Sequence, residues 1–253
     1  MSRVRMGWVA GFLLLAGLLA GCNGTPRTPV VIFLDGAGGF GYGGPVRQGL
    51  HAAGFRGDFD NHRWSFFVVP ADQLLARWKA LAAPLADKIK AIREADPEGE
   101  IHVVGLSAGT ALLLNALEQL PEGIQVDNVA LLSSSASAQH DLQPALQHVR
   151  GYFYATYSRE DYILASLAVN ADGEPGPPAG RVGFHRPSNL TRETALLYSR
   201  VINLPWKPGY AGYGWNGGHT HVTDQHFIRS VIAPRLLAEK PLPIDRPLVM
   251  IER

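Results

Sequence analysis

From Val30 onward the apolar residues of this chain follow two rhythms, short unbroken runs and longer stretches with a repeat of three to four. The runs at Val30–Leu34, Arg63–Pro70, Glu100–Leu106, Val126–Ser134 and Gly151–Ser158 read as strands. Runs apolar on both faces suit a parallel sheet covered on each side. Between them, Leu74, Leu75, Trp78, Leu81, Leu85, Ile89 and Ile92 recur at helical spacing. Asp72 is placed to cap the start of that helix, Pro97 lies just past its end, and Pro84 inside it is expected to kink or split it. Further helices are predicted over Ala108–Leu120, Asp141–Val149 and Asp224–Leu237, and a last strand over Leu196–Trp206. The segment Asn170–Pro187 is polar and rich in glycine and proline. The tail Glu239–Arg253 has no assignable element.

Alternating strands and helices imply one α/β domain, doubly wound, with a mostly parallel sheet and helices on both faces, extending over residues 30–253. No internal repeat is visible. Composition agrees: 46% of the 253 residues are hydrophobic, enough for a single core. A formal net charge of +1 without a Lys/Arg cluster in the body of the chain argues against a nucleic-acid partner.

The N-terminus has a different character. Arg3 and Arg5 precede an apolar stretch from Gly7 to Ala20, the length of a signal peptide and short of the roughly 20 residues that a membrane-spanning helix needs. It ends in Leu19-Ala20-Gly21-Cys22, which resembles a bacterial lipobox. The resemblance implies a signal peptide at residues 1–21, lipidation of Cys22, and a tether over residues 22–29 that anchors an exported domain by acyl chains. An ordinary signal peptide with an incidental cysteine is the alternative. Cys22 is the single cysteine, so no disulfide forms within one chain.

The chemistry gathers around Gly105-Leu106-Ser107-Ala108-Gly109, a GxSxG motif between a predicted strand and a predicted helix. That context matters because a sharp strand-to-helix turn lifts the serine oxygen above the sheet, and the helix N-terminus supplies free N–H groups. A hydroxyl is a weak nucleophile, so it needs a base, and the base an orienting acid. Asp161 follows the strand Gly151–Ser158, and His219 lies between the last strand and last helix. In this order, serine, acid, histidine, the chain resembles the α/β-hydrolase superfamily in its esterase and lipase branch, from about Val30 to Leu237.

The resemblance implies a serine hydrolase acting on a small-molecule or lipid ester without a cofactor, with Ser107, Asp161 and His219 as triad. It also implies an oxyanion hole from the amides of Ala108 and Ala37, with Gly38 close behind. Members often carry His-Gly after the first strand; this chain has Asp35-Gly36. Alternatives stay open. Asp161 could cap a helix, Asp141 and Asp172 are competing acids, and His221 is the second choice for the base. His226 falls inside the closing helix, and the remaining histidines read as surface or satisfied polar residues. The run from His219 to His226 lacks the spacing of a binuclear zinc ligand set, so no metal is expected. Trp206, Tyr210, Tyr213 and Trp215 could line an acyl pocket or pack their loop onto the domain. A tethered binding protein that keeps the fold without turnover is the competing functional class.

Overall fold

The computed structural model describes residues 28–64 and 77–238. Among the described residues six parallel strands form one sheet: β1 (Val30–Leu34), β2 (Asp58–His62), β3 (Ile101–Leu106), β4 (Val129–Leu132), β5 (Phe153–Tyr157) and β6 (Val201–Pro205). Their spatial order is β2-β1-β3-β4-β5-β6. The chain therefore starts near one side of the sheet, crosses to its neighbour β2, and returns past β1 to run outward through β6. Successive side chains point to opposite faces, and two cores result. Ile32, Leu34 and Val103 pack on one face with α2 (Trp78–Ala95) and α3 (Ala108–Leu117). Val31, Phe33, Val104 and Leu106 pack on the other with α1 (Gly43–Ala52) and the closing segment of the chain. All six residues of β3 are buried, as expected of a central parallel strand.

Three local expectations change. The second described strand comes before the predicted run Arg63–Pro70. It is the polar run Asp58–His62, which ends the sheet among the described residues and needs one apolar anchor, Phe59, stacked on Phe33 at 6.3 Å. Arg63 and Trp64 follow it outside any strand, and the rest of that predicted run lies outside the described residues, as do Asp72, Leu74 and Leu75. Pro84 does not split its helix: α2 runs as one element of 18 residues and packs along α3. The last strand starts later than expected. Leu196–Tyr198 belong to a helix, α7 (Arg192–Tyr198), whose first turn is capped by the Thr191 side chain accepting from the Thr194 amide.

Three short helices precede α7: α4 (Gln143–Leu146), α5 (Tyr162–Ala165) and α6 (Ala179–Val182). The last of these lies in the glycine- and proline-rich segment, which is pinned to the end of β4 by the amides of Ala179 and Gly180 donating to the carbonyls of Ala136 and Ser134. The closing segment is helical in three parts, α8 (Gln225–Phe227), a π-turn over Ile228–Ile232, and α9 (Ala233–Leu236). No helix of the described residues is long and apolar enough to cross a membrane.

Candidate active site

Ser107 occupies the turn between β3 and α3 with φ 52° and ψ −123°, one of two non-glycine residues with positive φ among those described. Such a backbone costs about 1–3 kcal/mol and persists only where its surroundings impose it. Here they do. The Ser107 amide donates to the Leu132 carbonyl of β4 at 2.9 Å, and the Thr110 amide donates to the Ser107 carbonyl at 2.9 Å. The motif glycines allow the crowding: a Cβ on Gly109 would sit 2.5 Å from the Asp35 carbonyl oxygen, and one on Gly105 3.0 Å from the Gly109 oxygen. The other positive-φ residue, Ser133, follows β4 in register with Ser107, since Leu106 pairs with Leu132.

The serine hydroxyl meets an imidazole. His219 Nε2 lies 2.8 Å from Ser107 Oγ, and His219 Nδ1 lies 2.7 Å from Asp161 Oδ2. The carboxylate fixes the tautomer: Nδ1–H donates to Asp161, which leaves Nε2 to accept the serine O–H. Asp161 is fully buried, and its second oxygen accepts the Leu164 amide at 2.9 Å. Helix cap and histidine partner, treated as alternatives in the sequence, are thus two uses of one carboxylate, one oxygen for each.

His219 reaches the serine through a held loop. Gly217 has φ 91°, a conformation open to glycine, and reverses the chain just ahead of the histidine. Trp215, wholly buried, stacks on Tyr210 at 5.9 Å and packs on Phe227 of α8 at 4.8 Å, while its indole N–H donates to the Gly218 carbonyl. Most of the aromatic loop therefore packs onto the domain, with Tyr213 left half exposed. His221 lies exposed in a 3-10 turn (His221–Thr223), and His226 lies exposed in α8 beside Gln225. The competing acids are engaged elsewhere: Asp141 accepts from the Tyr198 hydroxyl, and Asp172 pairs with His140.

The turn after β1 lies against the serine, for a Cβ on Gly36 would sit 3.3 Å from Ser107 Cβ. Asp35, the departure noted in the sequence, is buried there and accepts three amides: Gly36 at 2.8 Å, Gly41 at 2.7 Å and Tyr42 at 3.1 Å. The Gly39 amide donates to the Gly36 carbonyl, whereas the amides of Ala37 and Gly38 meet no acceptor among the described residues. The Ala108 amide, first in α3, has no intrahelical acceptor. A cavity of about 280 Å³ opens beside this turn, lined by Asp35, Gly41, Asn61, His62, Arg63 and Trp64. Chemically, the arrangement can take a proton from the Ser107 hydroxyl onto an imidazole whose other nitrogen is held by a carboxylate.

The all-parallel sheet, the serine elbow after β3 and the later acid and histidine loops constitute an α/β-hydrolase fold. No protein-family model and no curated protein matches the chain. Among solved structures it is similar to a cutinase-like protein from Cryptococcus sp., at 16% identity over 83% of this chain and 93% of that one, with a TM-score of 0.43. It is also similar to an esterase of Pyrococcus furiosus, at 11% identity over 78% and 77%, TM-score 0.43. An acetylxylan esterase aligns at 12% identity over 83% of this chain and 95% of that one, TM-score 0.43.

Proposed function

We propose that this protein is a serine hydrolase that cleaves a carboxylic ester through an acyl-enzyme. The observation that carries the reading is the continuous chain of hydrogen bonds from Ser107 through His219 to the buried Asp161. In the proposed sequence, Ser107 Oγ attacks the ester carbonyl as its proton passes to His219 Nε2, and Asp161 stabilises the imidazolium that forms. The amides of Ala37 and Ala108, with Gly38 nearby, receive the charge of the tetrahedral intermediate. His219 returns the proton to the departing alkoxide. Water, activated by the same imidazole, then frees the acid and restores the hydroxyl.

Hydrolysis of a series of p-nitrophenyl esters of increasing acyl length by the domain begun after Cys22 tests this and ranks its acyl preference. The expected result is turnover that falls to background in Ser107→Ala. Binding of esters by a folded wild type that never turns them over would favour the non-catalytic binding protein instead.

Export and lipid anchoring at Cys22 complete the proposal. They rest on the leader and lipobox pattern of residues 1–22. Residue 30 opens β1 at the edge of the sheet opposite to Ser107, which follows the C-terminal end of β3. Mass spectrometry of the full chain from the membrane fraction tests this part: a diacylated N-terminal peptide is expected from wild type and none from Cys22→Ser.

A further inference from the structure

The Asp35 carboxylate has no part in the proton path from Ser107 to Asp161, yet it is buried in the turn beside the nucleophile. A negative charge there opposes an oxyanion developing nearby unless something offsets it. Three N–H donors do, at 2.7 to 3.1 Å, from Gly36 at the start of the turn and from Gly41 and Tyr42 at its end. An ionised carboxylate has about four acceptor sites, whereas a neutral imidazole has a single acceptor nitrogen, so a histidine at this position could not gather the same amides. The backbone of Asp35 is held as well: its carbonyl accepts the Trp64 indole N–H at 2.8 Å and lies against Gly109 of α3.

We propose that Asp35 is a positioning residue for the oxyanion hole. By drawing the two ends of the turn onto one carboxylate, it directs the amides of Ala37 and Gly38 away from internal partners and leaves them for the reacting oxygen. Its backbone also joins that turn to the helix of the nucleophile. The inference rests on the ester-hydrolase reading and adds to it a residue that acts through others, without touching substrate.

The test compares wild type with Asp35→Asn and Asp35→Ala. Asparagine keeps the size but has one acceptor oxygen, so part of the brace is lost; alanine removes all of it. With p-nitrophenyl butyrate, kcat is expected to fall roughly 10- to 100-fold in Asp35→Asn while KM changes less than about 2-fold, since the donors matter most once charge has developed. Affinity for an alkyl boronic acid, which forms a tetrahedral adduct on the serine, should weaken by a similar factor, and affinity for the carboxylic acid product should hold. Amide hydrogen exchange at Gly41 and Tyr42 is expected to quicken at least about 10-fold, with far-UV circular dichroism unchanged. Unchanged kcat, a loss confined to KM, or undiminished protection at Gly41 and Tyr42 in Asp35→Asn would each overturn the proposal. A wild type that hydrolyses no ester and binds no boronate would instead defeat the ester reading, an outcome separate from the exchange result.

Discussion

Raising the pH from 6.5 to 9 should weaken this fold through one residue far from the triad in sequence, His140. Its ring joins two carboxylates, with Nδ1 2.9 Å from Asp172 Oδ2 and Nε2 2.9 Å from Glu118 Oε1. Burial by itself pulls the imidazole down, but the hydrogen bonds and charges of Asp172 and Glu118 outweigh it and push the pKa up to about 9. The unfolded chain binds that proton with a pKa near 6.5. Below about 6.5 both states hold it and the stabilisation is complete. Between 6.5 and 9 only the folded state does, so the unfolding free energy falls by about 1.4 kcal/mol for each pH unit. The whole window is worth about 3 kcal/mol, and the low exposure of the ring and of Asp172 means that solvent screening reduces it little. Urea unfolding of the domain at several pH values between 6 and 10 measures the slope, with His140→Asn as the comparison. The difference between the two proteins should shrink by about 3 kcal/mol across the window. A difference constant with pH would refute the argument, because it would mean that His140 stabilises the fold without holding its extra proton.

Two further substitutions separate chemistry from structure. Asp161→Asn keeps an oxygen to cap α5 but loses the charge that holds the histidine tautomer. It should lower kcat by about 10⁴-fold, with a melting temperature within a few degrees of wild type. A comparable loss of melting temperature and activity would show that the acid matters only as a cap. Gly109→Ala places a methyl group against the carbonyls of Leu34 and Asp35 and should cost about 1–3 kcal/mol in urea unfolding, with loss of the proposed esterase activity as β1 and α3 part; unchanged stability would contradict the packing at that junction.

What the sequence made legible depends on whether the signal was local. β3 is six buried residues leading into a GxSxG motif, so strand, elbow and helix are all visible in one window. β2 was missed because Asp58–His62 is polar, which the end of a sheet tolerates and a search for apolar runs passes over. Leu196–Tyr198 went to the wrong element because a short apolar run fits either period, and the Thr191 cap that decides for helix lies five residues upstream of Leu196. The acid could be ranked from its place after a strand, but its double use as cap and histidine partner is a tertiary fact. Choosing His219 over His221 depends on the reversal at Gly217 and on the Trp215 indole holding Gly218, neither of which is written in local spacing. Asp35 looked like a mere departure because two of its three amides come six and seven residues later, from a turn whose shape the sequence does not specify.

The central claim is that Ser107 is a nucleophile activated by His219. Incubating the folded domain with a fluorophosphonate and mapping the modified peptide by mass spectrometry tests it most directly. The account requires a single phosphonylated residue at position 107, absent in Ser107→Ala and formed at least about 10³-fold more slowly in His219→Asn. A folded wild type that takes up no label, or one modified equally fast without His219, would contradict it.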